Sequence, residues 1–326
     1  DGHYYASAVK DIKKYLLNPQ LLEVPPEKVI EEIKAGTLKD YQVPVLYSNV
    51  HADEIIGTDG VMMFLDLLVS NADGAVAYND IDSLTELGKE TVKKEMAEDG
   101  VVWSELIKDK VTGVGYIQGN GKYEPTDPKT DVANNTNKNE AATVDMTEEE
   151  MATYYNITKE ELNVKEVLND VFFIAVPQEN ADGRYHNIRT NALGFDLNRD
   201  NTYQTQNETQ AMTHLIAKWN PVSFHEIHGF YTQYQVEPCS PVHEPNVEYD
   251  IFMDLGLAQG EAFGAASIVN NDTINSFNTP MRDYLFVDED GNKNWVPFDD
   301  MSTSYTPQYA LTHGAYAYPV ELPYAS

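Results

Sequence analysis

A short apolar segment, Val43 to Val50, followed by a stretch with helical apolar spacing, Gly60 to Ser70, constrains this chain more than any other feature. The first reads as a buried strand and the second as the helix returning from it, which opens an alternating α/β pattern. The joint between them is His51-Ala-Asp-Glu54. An imidazole and a carboxylate three residues apart at the start of a helix can turn to the same side and give two of the three protein ligands that a catalytic zinc needs. His225, in the segment Pro-Val-Ser-Phe-His-Glu-Ile-His-Gly, follows another short apolar run and could supply the third from the end of a neighbouring strand. The expected metal set is therefore His51, Glu54 and His225 around one zinc ion, with the fourth position left open for water.

The alternation continues. Val167 to Val176 is apolar and β-rich and ends at Pro177, Gln210 to Trp219 is an expected helix before the His225 strand, and Gly314 to Leu322 is a last apolar run. Near the start, Tyr5 to Leu17 has helical spacing, Asn18-Pro19 is its stop, and a second helix is expected after Pro25-Pro26. From about residue 71 to 165 the chain turns polar, with Ala133 to Glu140 and Thr147 to Glu150 flanking few apolar anchors. Such a segment is expected to be a surface insertion of loops and short helices. A length of 326 residues accommodates a single catalytic domain, residues 1–326, that carries this insertion.

Charge and composition exclude some partners. The 53 acidic residues against 22 basic ones give a net charge of −31, which repels phosphate backbones and anionic headgroups, so no nucleic acid is expected. No run approaches the roughly eighteen uninterrupted apolar residues of a membrane span. The single cysteine, Cys239, excludes an intramolecular disulfide without excluding export. The chain starts at Asp1 without a signal-like apolar stretch, the start expected of a processed or trimmed chain.

A His-x-x-Glu pair alone is also what a solvated helix start contains. Here four further segments follow in a compatible order: Asn180-Ala-Asp-Gly-Arg184, Arg189 through Gly194-Phe-Asp-Leu-Asn-Arg199, His225, and Tyr318-Pro-Val-Glu321. With these residues the chain resembles the zinc metallocarboxypeptidase family of the carboxypeptidase A and T type, from about Val43 to Leu322 apart from the insertion. The resemblance implies a three-layer α/β/α sandwich with a central mixed sheet. It also implies hydrolysis of the C-terminal peptide bond of peptides or proteins with a free C-terminus, and an extracellular or cell-surface location.

Residue by residue, His51, Glu54 and His225 match the family's zinc ligands, and Glu321 matches its general base. Arg189 aligns with the arginine that stabilises charge on the carbonyl oxygen. Asn198 and Arg199 align with the pair that holds the substrate carboxylate, a task that suits the planar guanidinium fork. Asp196 aligns with an aspartate that orients a zinc-bound histidine, here His51. Of the two tyrosines placed to cover bound substrate, Tyr305 is preferred over Tyr309.

Two features depart from the family pattern: Asp200 follows Asn198-Arg199 where asparagine is commoner, and Ser326 ends the chain soon after Glu321, where relatives add a closing helix. The first is expected to alter the carboxylate pocket, the second to mean a shortened chain or a core closed by another segment. His225-Glu-Ile-His228 is one residue short of the His-Glu-x-x-His pattern, so His228 is expected in a loop or behind the ligands. Rival readings are a zinc-dependent peptidoglycan endopeptidase, amidase or deacylase on the same scaffold, and a non-catalytic zinc-binding module.

Overall fold

A computed structural model of the protein describes residues 35, 43–98, 148–231, 234–236, 249–270, 277–278, 285–287, 293–295 and 302–323. The expected helices at Tyr5 to Leu17 and after Pro26, and Cys239, lie outside the described residues.

The first strand, β1 (Val43–Ser48), alternates half-buried and buried positions and occupies an interior place in a sheet that has six strands among the described residues. β4 (Val171–Val176) pairs with it in parallel on one side and β5 (Ser223–Tyr231) in parallel on the other. β10 (Tyr316–Pro323) lies parallel beyond β5, and β6 (Tyr234–Val236) is antiparallel to β10. β7 (Phe277–Asn278) pairs in parallel with β6 at the sheet edge. The sheet is thus mixed.

Helices cover both faces. On one face Leu46, Phe224 and Ala317 stand side by side in register and pack with Met212 and Ile216 of α6 (Asn207–Trp219) and Ala310 and Leu311 of α8 (Thr306–Thr312). Leu46, Phe224 and Ile216 are fully buried, each contributing about 1.5–3 kcal/mol relative to exposure. On the opposite face Tyr47, His225 and Tyr318 stand in register. They pack with Phe64 of α1 (Ile55–Ser70) and Phe263 of α7 (Tyr249–Val269). The architecture is a three-layer α/β/α sandwich.

Several boundaries differ from the sequence expectation. α1 begins at Ile55 rather than Gly60, because Gly57 lets the first turn lie directly against Asn49 and the Ile227 carbonyl. The apolar run expected as a strand from Val167 is helical in its first part, α4 (Val164–Asp170). There the Asn163 side chain accepts a hydrogen bond from the Glu166 N–H, a cap that outweighs the β preference of a short valine-containing run.

Within the polar segment, β2 (Ala75–Leu84) and β3 (Tyr155–Asn163) form an antiparallel ribbon. The chain between them includes α2 (Glu86–Glu98) and α3 (Glu148–Tyr154), and the Thr85 N–H donates to the Tyr154 carbonyl at its neck. Ile81, Leu84, Val92 and Tyr155 are buried in one cluster with Ala265 and Ile268 of α7 and Tyr318 and Val320 of β10, so the ribbon shares a core with the main sheet. A further small ribbon joins β8 (Leu285–Val287) to β9 (Lys293–Trp295). Among the described residues no helix is long and apolar enough to cross a membrane.

Candidate metal centre

The chain leaves β1 for β4 on one side and β5 on the other, so the carboxyl ends of β1 and β5 border a point where strand order reverses, the usual place for a ligand site in an open α/β sheet. His51 follows β1 there, and Glu54 precedes the first turn of α1. The Glu54 side chain makes no cap hydrogen bond to its own helix, which frees its carboxylate.

His51, Glu54 and His228 are all buried and bring one donor atom each within 4.8 Å of one another. His51 Nδ1 is 2.8 Å from Glu54 Oε1, His228 Nδ1 is 2.9 Å from Glu54 Oε2, and the two Nδ1 atoms are 3.1 Å apart. Donor atoms bound tetrahedrally at about 2.0–2.1 Å are separated by roughly 3.3 Å, so these three fit zinc with little adjustment. The two imidazole nitrogens lie about as close to each other as each lies to the Glu54 carboxylate, an arrangement that a shared cation would satisfy.

The third member corrects the sequence expectation: His228 joins His51 and Glu54, and His225 does not. Successive side chains of β5 alternate faces, so His225 and His228, three positions apart, point to opposite sides. His225 is stacked between Tyr47 (4.6 Å between centroids, 12°) and Tyr318 (5.5 Å, 20°), with Nε2 2.9 Å from Ser223 Oγ. Burial pushes its pKa down to about 3, so it is a neutral member of an aromatic ladder. A usable signal existed in the sequence, because His228 lies three residues nearer the carboxyl end of the strand, where such sites form.

Three of the other residues singled out in the sequence, Glu321, Arg189 and Asp196, lie beside this triad. Glu321 on β10 is the register partner of His228. Burial raises its pKa, and the charges of His228, His51 and Arg189 pull the other way while Glu54 adds to the rise. Arg189 donates through Nη1 to Glu54 Oε1 (3.2 Å) and through Nε to Asp196 Oδ2 (2.9 Å). Asp196 Oδ1 lies 3.3 Å from His51 Nε2. Burial opposes ionisation of Asp196, but His51 and Arg189 together hold its carboxyl well below the usual range. Glu54 behaves alike: burial acts upward, yet His228 and His51 bring its pKa down to about 2.

A hydrogen-bonded loop sets Arg189. Asn180 caps α5 (Ala181–His186) by accepting from the Gly183 N–H, and its amide donates to the Arg189 carbonyl. The turn that follows closes at Gly194, whose φ of 82° is cheap only for glycine. Asn198 Oδ1 accepts from the Thr306 N–H (2.8 Å), tying the turn Leu197–Arg199 to the start of α8. Arg199 lies over the Tyr305 ring, 4.2 Å from its centroid. Asp200 turns away from solvent to accept from the Thr205 N–H and hydroxyl and the Gln206 N–H, so it holds the entry to α6.

No family model matches the chain, and no curated protein sequence matches it. Among solved structures, a metallo-carboxypeptidase from Burkholderia cenocepacia superposes with a TM-score of 0.36 at 20% identity, covering 49% of this chain and 38% of its own. A metallo-carboxypeptidase from Pseudomonas aeruginosa, in complex with (2-guanidinoethylmercapto)succinic acid, gives 0.34 at 20% identity, over 48% and 38%. The matched part therefore spans less than two-fifths of the length of these neighbours.

Proposed function

We propose that the protein is a zinc-dependent hydrolase that removes the C-terminal residue of a peptide. The observation that carries this reading is the convergence of His51, Glu54 and His228 with Glu321 in register beside His228. His51, Glu54 and His228 would hold the metal. Zinc so bound supplies Lewis acidity, lowering the pKa of a coordinated water from 15.7 to about 7.

The chain's own groups then have distinct tasks. Glu321 takes the proton of the attacking water and returns it to the leaving amine. Arg189, held in place by Glu54 and Asp196, faces the negative charge that develops on the carbonyl oxygen and stabilises it more in the transition state than before it. Asn198 and Arg199 receive the free carboxylate of the substrate, with Tyr305 against the guanidinium face. Asp196 orients the His51 ring.

The test pairs metal analysis with substrates. The purified chain is expected to hold one zinc, and Glu321→Gln to keep it while losing turnover by about 10²–10⁴-fold. Arg199→Ala is expected to weaken cleavage of peptides with a free carboxylate far more than of C-terminally amidated ones. Equal turnover of amidated and free peptides by the unaltered protein would assign it to the endopeptidase or amidase chemistry instead.

A further inference from the structure

Resting on that reading of the metal centre, we propose that Glu226 is the positioning carboxylate for its third ligand: it fixes the ring and tautomer of His228 so that Nδ1 faces the metal. Glu226 and His228 are two positions apart on β5 and therefore share a face. Glu226 Oε2 lies 2.7 Å from His228 Nε2. The Glu226 side chain is fully buried. With Nε2–H donated to this carboxylate, the neutral ring has its lone pair on Nδ1, the atom that points at Glu54 and His51.

Both ligand imidazoles are thus backed by an acid, but the two supports differ. Asp196 behind His51 is partly exposed and shares its charge with Arg189. Behind His228, Glu226 is near enough to a second buried acid, Glu179, for its charge to act on it. Glu179 follows β4 and its N–H donates to the Asn49 carbonyl, which brings it to the same strand ends. Glu226 Oε1 and Glu179 Oε1 are both buried without a hydrogen-bond partner among the described residues. Burial, and next the charge of Glu226, push the Glu179 pKa well above the usual carboxylate range. A carboxyl group held at this distance from Nε2 steadies the ring and raises the basicity of His228 as a ligand.

The proposal is tested on the full chain by competing zinc against a chelator of known affinity, with cobalt absorption as the signature of ligand geometry. Glu226→Gln, nearly isosteric, is expected to weaken zinc about 10- to 100-fold and to shift the cobalt spectrum, while far-UV circular dichroism stays unchanged. Glu179→Gln is expected to retain wild-type affinity. Nitrogen NMR of the unaltered zinc-loaded protein provides a readout that needs no variant: His228 is expected to carry its proton on Nε2 and its metal on Nδ1.

Wild-type affinity and an unshifted cobalt spectrum in Glu226→Gln, or metal on Nε2 of His228, overturn the role of Glu226. Failure of the unaltered protein to bind zinc overturns the metal centre itself, a separate outcome.

Discussion

Glu321 shows how burying a single acid bears on stability. Its pKa is raised, by burial first, so the folded chain binds its proton more tightly than the unfolded chain does. A carboxyl of this kind contributes stability below its unfolded pKa and loses that contribution as pH rises through the folded value. In the metal-free protein Glu321→Gln is therefore expected to raise the Tm at pH 7 and to leave it unchanged near pH 4, as followed by thermal unfolding at both pH values. A lower Tm at pH 7 would mean that the ionised carboxylate is well accommodated. The neighbouring Glu54 has the opposite shift, which suits the ligand role proposed for it, because a metal-binding carboxylate is ionised.

Among the elements, α1 and β5 place the triad, and each does so through one feature of its sequence. α1 approaches β5 through Gly57, where a methyl group would overlap the Asn49 amide and the Ile227 carbonyl. A methyl group at Gly60 would meet nothing within 4 Å. Alanine is favoured over glycine within a helix by about 0.5–1 kcal/mol, but forcing atoms into packed surroundings costs about 1–3 kcal/mol. Gly60→Ala is thus expected to raise stability and Gly57→Ala to lower it, and the second should also weaken zinc by displacing Glu54. Denaturant unfolding and chelator competition on the two variants check this, and equal effects would disprove the close approach. β5 acts through its alternation, which assigns Phe224, Glu226 and His228 to one face and His225 to the other.

For the molecule as a whole, a net charge of −31 on 326 residues opposes compactness by self-repulsion. The Debye length falls from about 30 Å at 0.01 M salt to about 10 Å at 0.1 M, so screening should favour the folded state. Raising sodium chloride from low concentration into that range is expected to increase the Tm of the zinc-loaded protein, measured by scanning calorimetry; a constant Tm would show that the acidic groups are already compensated. The same scale decides what was legible beforehand. Strand and helix alternation and the His51–Glu54 pair depend on spacing along the chain, which the amino-acid sequence determines by itself. The choice between His225 and His228 depends instead on which face of β5 meets the crevice. Period-two alternation says that the two histidines oppose each other but not which one looks outward from the aromatic ladder of Tyr47 and Tyr318. The pairing of Glu321 with His228 and of Glu226 with Glu179 likewise arises from strand register and long-range burial. Only the tertiary structure decided these, because they are relations between segments far apart in the chain.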